Sequence, residues 1–260
     1  MTEPVQFVEV AGLDRPLVLE CQWVGATASA HPPVVFLHEG LGSLAMWKDF
    51  PERFCAAHGL RGLAFSRGGY GRSTPRPPGE RWPVQFMHRQ AYDVLPRFFA
   101  ALGVERPWLF GHSDGGSIAL LYASRHPVAG VVAVAPHVFT EDYGIASIEK
   151  ARVAYETTDL RARLGRYHAD VDSAFRGWND VWLDPAFRTW NIEDALDGIV
   201  APLLVVQGED DEYGTLEQVR RIQRRVPHAQ ALVLPACGHS PHRDQPERLI
   251  EAAGAFIRRA

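Results

Sequence analysis

The chain has 260 residues, which is enough for one large α/β domain or two small ones. Its 46% hydrophobic and 22% charged residues are typical of a globular protein. Its net charge is −4 and its basic residues are mostly scattered arginines, so neither a nucleic-acid nor an anionic-membrane partner is predicted. Three separated cysteines (Cys21, Cys55 and Cys237) predict reduced thiols, and the lack of a leader-like start or a long apolar run predicts a soluble, cytoplasmic protein.

The N-terminal half alternates apolar runs with helical patterns. Residues 5–24 alternate in polarity around a Gly12-Leu13-Asp14 turn, which predicts an antiparallel hairpin. Apolar runs that predict buried strands occupy residues 34–37, 60–65 and 107–111. Between the last two runs, residues 85–102 are predicted to form a helix that Pro96 kinks.

The C-terminal half continues this alternation with one interruption. Strands are predicted at 130–135, 203–206 and 230–234, and helices after residue 113, at 215–226 and from about residue 245. Residues 138–198 carry three tryptophans among helical patterns, so we predict a helical cap inserted into a core of residues 1–137 and 199–260. Apolar strands that alternate with helices predict a mostly parallel, twisted α/β sheet covered on both faces, with ligands beyond the carboxyl ends of its strands.

A glycine-flanked serine follows the predicted strand at 107–111. Gly111-His112-Ser113-Asp114-Gly115 matches G-x-S-x-G, in which the chain turns sharply from a strand into a helix and strains the backbone of the serine. Such a turn presents the Ser113 hydroxyl above the N-terminus of the next helix. A serine becomes a strong nucleophile when a base removes its proton and a third group orients that base.

Two later loops carry the residue types that this serine needs. The acidic run 209–212 follows one predicted strand, and His239 and His242 follow the next. The order serine, acid, histidine along the chain is the order of one known class of hydrolases. Because both loops follow strand ends, their side chains can converge on Ser113. The residues alone leave the choice among four acids and two histidines open.

With these motifs in this order, the chain resembles the α/β-hydrolase fold family over nearly its whole length. The resemblance implies an α/β-hydrolase fold with a helical cap after strand six. It also implies that Asp211, three residues after a strand-ending glycine, is the acid, and that His239, in a Gly-His pair, is the base.

The same resemblance implies an oxyanion hole in the loop 38–43, which is similar to the His-Gly-x-Gly loop of the family. The backbone N–H of Gly40, with that of Leu41 as the alternative, would act together with the N–H of Asp114. This chain has Glu39 where glycine is usual. Such donors stabilise the negative charge that develops on the substrate oxygen.

A finer resemblance concerns the substrate. Residues 113–116, the sequence Thr140-Glu141-Asp142 and the pattern Tyr167-His168-x-Asp170 are similar to the biphenyl hydrolase-like, or valacyclovir hydrolase, group. Members of that group cleave esters of amino acids. The resemblance implies that the Asp114 carboxylate pairs with a substrate ammonium group, and a solvated acid in the first helical turn is the alternative.

The sequence therefore predicts a cofactor-free serine hydrolase that cleaves a small-molecule carboxylic ester through an acyl-enzyme. A lactonase, a thioesterase or a C–C bond hydrolase would use the same three residues, and a ligand receptor on the same scaffold is the non-enzymatic alternative. His137 and Trp178 are candidates for substrate contacts, with packing as their alternative role. No metal site is predicted, because His168 and Asp170 are too few ligands and no H-E-x-x-H motif occurs.

Overall fold

The computed structural model describes residues 2–13 and 15–260, and in this part of the chain one eight-stranded sheet has the order β1-β2-β4-β3-β5-β6-β7-β8. The strands are β1 Gln6–Val10, β2 Leu17–Gly25, β3 Val34–Leu37, β4 Arg61–Phe65, β5 Trp108–His112, β6 Gly130–Val134, β7 Leu203–Gly208 and β8 Gln230–Leu234. The predicted N-terminal hairpin is confirmed as the antiparallel pair β1–β2, although Asp14 of its turn lies outside the described residues. β2 also pairs antiparallel with β4, and the other pairs are parallel, as predicted.

Helices cover both faces of this sheet. They are α1 Phe50–His58, α2 Phe86–Arg89, α3 Leu95–Leu102, α4 Asp114–Ala123, α5 Asp142–Thr157, α6 Leu160–Leu164, α7 Val171–Trp182, α8 Glu217–Arg225, α9 Pro241–Asp244 and α10 Pro246–Arg259. Over residues 2–13 and 15–260, no helix combines the length and the hydrophobicity needed to cross a bilayer.

The predicted helix over 85–102 is interrupted in the structure. A π-helical turn, Gln90–Val94, separates α2 from α3, and Pro96 lies in the first turn of α3. Proline has no N–H to donate to the carbonyl four residues earlier, and its ring crowds that carbonyl. The regular hydrogen-bond ladder therefore changes just before Pro96, which is the distortion that the sequence predicted.

The strands are apolar on both sides because each side packs against helices. In β3, Val34 and Phe36 belong to the core beneath α1 and α10, whereas Val35 and Leu37 belong to the core on the opposite face, which includes α3, α4 and α8. Successive side chains of a strand point to opposite faces. A continuous apolar run is therefore what a strand in the middle of this sheet requires.

Residues 138–198 form α5, α6, α7 and two 3₁₀-helical turns, Pro185–Thr189 and Glu193–Gly198. An isolated antiparallel bridge joins Phe139 to Asn191. Trp178 and Trp182 on α7 are buried against the carboxyl-terminal side of the sheet. The division of the chain into a core and an inserted cap stays a prediction.

Candidate active site

Ser113 lies in the sharp turn between β5 and α4. Its backbone has φ 53° and ψ −121°, a strained conformation for a residue with a side chain. The Ser113 N–H donates to the Val134 carbonyl at 2.9 Å, which fixes the turn to the neighbouring strand. Helix α4 starts so close to the sheet that a Cβ on Gly115 would collide with the Leu37 carbonyl. The strain predicted for the G-x-S-x-G turn is therefore present.

Ser113, His239 and Asp211 form a continuous hydrogen-bonded chain beyond the ends of β5, β8 and β7. Ser113 Oγ lies 2.9 Å from His239 Nε2, and the two Asp211 oxygens lie 2.8 and 3.0 Å from His239 Nδ1. When Asp211 is ionised, Nδ1 of the neutral ring carries the hydrogen and donates it to the carboxylate. The lone pair of Nε2 then faces the serine hydroxyl. This arrangement can accept a proton from Ser113.

Asp211 is the buried acid of the acidic run, being only 4% exposed, whereas its neighbour Asp210 is exposed. Its carboxylate accepts the N–H groups of Tyr213 at 2.8 Å and Gly214 at 3.2 Å. Burial by itself raises the pKa of this carboxyl, but the charge and hydrogen bond of His239 and the Tyr213 N–H outweigh burial and lower it below its ordinary value. Asp211 therefore stays ionised beside the histidine.

His239 is the histidine that reaches the serine. Burial by itself lowers its pKa, but the charge and hydrogen bond of Asp211 and the charge of Glu212 outweigh burial and raise the pKa above the ordinary 6.5. His242 packs behind the site, with its ring centroid 5.0 Å from that of Trp47. In the described ranges of the chain, no hydrogen bond joins His242 to the serine.

The loop after β3 holds the peptide between Glu39 and Gly40 in a fixed orientation. The His38 Nδ1–H donates to the Glu39 carbonyl at 2.7 Å, and the Arg67 side chain donates to the same oxygen at 2.8 Å. The C=O and N–H of one trans peptide point in opposite directions. The Gly40 N–H therefore points away from Arg67, and Gly40 lines the same cavity as Ser113.

The N–H groups predicted to form the oxyanion hole have no other acceptor in the part of the chain that the structure describes. For Gly40 and Leu41, no acceptor lies within hydrogen-bond distance among the residues that the structure describes. Asp114 is the first residue of α4, where an N–H has no partner inside the helix. A Cβ on residue 40 would collide with the indole nitrogen of Trp178, so only glycine fits there. The Gly40 N–H stays the predicted donor, with the Leu41 N–H as the alternative.

The structure does not bring the Asp114 carboxylate to this cavity, contrary to the prediction that it contacts substrate. The side chain is fully buried and is absent from the cavity wall. Its Oδ1 accepts the Trp182 indole N–H at 3.2 Å, and its Oδ2 lies 3.7 Å from Arg67. Burial raises the pKa of Asp114 to about 6, with Arg67 and Trp182 opposing the rise. Asp114 is therefore neither a solvated acid nor a free partner for an ammonium group.

The sequence reasoning missed Arg67, which is 1% exposed. Its backbone N–H donates to His38 Nε2 at 3.0 Å, and its guanidinium reaches both Glu39 and Asp114. The signal was its position in the loop directly after β4, because ligand-binding and catalytic residues of parallel sheets follow strand ends. Arg67 thus contacts both segments that carry the candidate oxyanion donors.

The Glu39 side chain was also missed as a link between loops. Its Oε2 lies 3.5 Å from His112 Nδ1, and its Oε1 lies 3.3 Å from the Arg243 guanidinium. Burial by itself raises the pKa of this carboxyl, but His112, His242 and Arg243 outweigh burial and hold it well below its usual range. The His112 Nε2–H in turn donates to the backbone carbonyl of His239 at 2.7 Å. Glu39 and His112 thereby connect the loop after β3 to the loop after β8.

A cavity of about 240 Å³ opens in front of Ser113 and His239. His137 and Trp178, the other predicted substrate contacts, both line it. Burial lowers the pKa of His137 to about 3, assisted by the charge of His239, so its ring is neutral at ordinary pH. The Tyr213 ring lies 4.7 Å from that of His239, at the same wall. The cavity can hold a small substrate between α7 and the hydrogen-bonded residues Ser113 and His239.

The described residues contain no group of three or more histidine, cysteine or acidic side chains placed to hold a metal ion. His168, considered above as a ligand, serves the backbone instead. Its Nδ1 accepts the Gly71 N–H at 3.0 Å, and its Nε2–H donates to the Leu41 carbonyl at 3.1 Å.

Comparison with known proteins identifies the family of this chain. Residues 34–252 match the alpha/beta hydrolase family. The esterase Rv0045c of Mycobacterium tuberculosis is 27% identical over 94% of this chain and 90% of its own length. The bifunctional esterase/perhydrolase DCH of Acinetobacter calcoaceticus is 26% identical over 87% of this chain and 92% of its own length. The crystal structure of VinJ has the same fold, with a TM-score of 0.79 at 23% identity over 100% of this chain and 99% of VinJ. The chain belongs to the alpha/beta hydrolase family.

Proposed function

We propose that the protein is a serine hydrolase that cleaves a small carboxylic ester through an acyl-enzyme intermediate. The observation that carries this proposal is the chain Ser113 Oγ, His239 Nε2, His239 Nδ1 and Asp211, with contacts of 2.9 and 2.8 Å, at one end of a small cavity. Nucleophile, base and orienting acid are then within hydrogen-bond reach of one another. The esterase relatives agree with an ester as the substrate.

In this mechanism, the ester binds in the cavity with its carbonyl oxygen toward the N–H groups of Gly40 and Asp114. His239 Nε2 takes the hydroxyl proton as Ser113 Oγ forms a bond to the acyl carbon. The two N–H groups stabilise the oxyanion, and Asp211 stabilises the imidazolium. His239 then gives the proton to the leaving alcohol. A water molecule, activated by the same ring, releases the acid and restores Ser113.

The leaving group and the acyl part are less defined than the reaction. The hypothesis of an amino-acid ester came from the resemblance to the biphenyl hydrolase-like group, which implied that the Asp114 carboxylate pairs with the substrate ammonium. The Arg67 contact gives that carboxylate another partner. Lactones, thioesters and activated C–C bonds are cleaved by the same group of three residues. A panel of these substrates at equal acyl size therefore decides the substrate class.

The test is turnover of p-nitrophenyl acetate together with labelling by a serine-directed phosphonate. We expect turnover that one equivalent of phosphonate abolishes, with the adduct on the peptide that contains Ser113. Ser113→Ala is expected to abolish both turnover and labelling while it keeps the fold, because the hydroxyl projects into the cavity. Ser124→Ala, at the C-terminal end of the same helix and with its hydroxyl hydrogen-bonded to the Leu121 carbonyl, is the matched control and should keep both.

Two outcomes contradict the proposal. Labelling at another serine, or turnover that persists in the Ser113→Ala variant, would exclude Ser113 as the nucleophile. Tight binding of esters without turnover in the wild-type protein would instead favour a ligand receptor on this scaffold.

A further inference from the structure

A second cavity, of about 450 Å³, has a lining different from that of the candidate active site. Within the described part of the chain, its walls come from residues 12–13 and 15–17, the segment 67–76 after β4, and residues 80–97. Among the described residues, none lines both this cavity and the cavity in front of Ser113. Cavities of this volume commonly hold small molecules.

The wall of this second cavity carries an excess of positive charge. Among the residues that the structure describes, five arginines line it, against two carboxylates, Glu80 and Asp93. The arginines are Arg15, Arg67, Arg76, Arg89 and Arg97. Arg15 pairs with Glu80 at 2.6 Å, but Arg89 and Arg97 have no carboxylate within ion-pair distance in the described ranges. Concave sites lined by one sign of charge attract the opposite charge.

Arg67 is the buried member of this set. It is 1% exposed, and its Nε has no hydrogen-bond partner among residues 2–13 and 15–260. Its countercharge, Asp114, lies 3.7 Å away, and the pKa of that carboxyl is raised by burial to about 6. A buried guanidinium with an unused donor is costly unless an anion compensates it. Asp114 supplies that compensation from the protein side, and Arg67 adds a fixed positive charge at the wall of the cavity.

One wall of the cavity is aromatic. The Trp82 and Phe86 rings stack with centroids 5.7 Å apart and planes inclined by 17°, and Leu17 lies on the same cavity. A ligand that consisted only of an anion would leave this wall bare. Flat apolar groups pack well against aromatic faces.

We propose that this cavity binds a small molecule in which a phosphate or carboxylate group is attached to an aromatic body. The anionic group lies toward Arg89 and Arg97, and the body lies against Trp82. The site is separate from Ser113, so its existence does not depend on the hydrolase activity proposed above.

The test is calorimetric titration of the full chain with phenyl phosphate and, separately, with benzoate and inorganic phosphate. We expect saturable binding of phenyl phosphate or benzoate that is tighter than binding of inorganic phosphate. Removing both exposed cations in Arg89→Gln/Arg97→Gln should weaken the binding by at least about tenfold, because charge-assisted hydrogen bonds to the anion are lost. The two single variants serve if the double variant melts early. Arg259→Gln, at the exposed end of α10, is the matched control and should bind as the wild type does.

The variant Arg243→Gln distinguishes the second cavity from the candidate active site. Among the described residues that line the active-site cavity, Arg243 is the only one with a cationic Lys or Arg side chain. Binding that Arg243→Gln weakens and Arg89→Gln/Arg97→Gln does not would place the probe beside Ser113 and overturn the proposal. An equal loss in Arg259→Gln would reduce the effect to net charge and overturn it as well. So would the lack of saturable binding of both aromatic probes in the millimolar range.

Discussion

Replacing Arg67 with methionine should reduce kcat and should make the free energy of unfolding fall more steeply as pH rises. The guanidinium donates to the Glu39 carbonyl at 2.8 Å and lies 3.7 Å from Asp114, and both contacts are buried. Methionine fills similar space without a donor or a charge. The Glu39–Gly40 peptide then keeps only the His38 donor, at 2.7 Å, and Asp114 keeps only the Trp182 indole.

The effect on turnover is bounded by the loss of a direct oxyanion donor, which costs about 10²–10³ in kcat. Arg67 acts on the Gly40 N–H only through the peptide, and His38 still holds the carbonyl. We therefore expect kcat to fall by about tenfold, well inside that bound.

The effect on stability depends on pH because Asp114 can bind a proton. An acid whose pKa is raised in the folded state stabilises the fold while it is protonated, and this stability is lost as pH rises from the unfolded pKa to the folded pKa. In the wild type that window ends near the folded value of about 6. Without Arg67 the pKa of Asp114 rises further, so the loss continues above that value at about 1.4 kcal/mol per pH unit.

Urea unfolding of both proteins at about pH 6 and about pH 8 measures this effect. We expect the destabilisation of Arg67→Met to grow by up to about 3 kcal/mol between the two pH values, since groups that titrate in both proteins cancel. Arg67→Lys keeps the charge and should show a smaller pH-dependent change. Its kcat should still be reduced, because the compact ammonium lacks the forked donor geometry of the guanidinium. An unchanged kcat together with a destabilisation independent of pH would refute this reasoning.

Three further predictions concern the candidate active site. Asp211→Asn should lower kcat by roughly 10⁴-fold, the loss found in a well-studied triad, whereas Asp210→Asn should change kcat little because Asp210 is exposed. A large loss of kcat in Asp210→Asn would shift the assigned acid by one residue. His239 acts as a base when its ring is neutral, and its pKa is raised, so kcat/KM should rise with pH through an apparent pKa above 6.5. A kcat/KM that falls over this pH range would argue against a histidine base. Gly40→Ala should lower kcat because its Cβ collides with the Trp178 indole, and Trp178→Ala in the same chain should restore part of the loss; failure of this rescue in steady-state assays would locate the constraint elsewhere.

The secondary structure could be predicted because local patterns carry it. Each parallel strand is a short apolar run, since both of its faces are covered, and these runs stand out between turns. The distortion near Pro96 could likewise be predicted, because proline disturbs the helix through its own ring and its missing N–H. Its form, a π-helical turn at Gln90–Val94, was not predictable, because no local pattern in the sequence specifies that turn.

The candidate nucleophile followed from a motif whose backbone requirement is itself local. The glycines allow the tight turn at Ser113, and the structure has the strained φ that the pattern requires. The acid and the base needed family resemblance, because four acids are adjacent in the loop 209–212. The fold distinguishes them: it encloses Asp211 beside His239 and leaves Asp210 in solvent.

The environment of Asp114 and the grouping of the arginines were decided by tertiary structure alone. The sequence placed Asp114 beside the nucleophile but gave no sign that Arg67 and Trp182, from distant segments, close over its carboxylate. In the sequence the arginines are scattered and predict no basic surface, yet the fold gathers five of them around one cavity. Electrostatic and hydrogen-bond partners are set by distance in space, and a sequence pattern reports only neighbours within a turn, a strand or a helix.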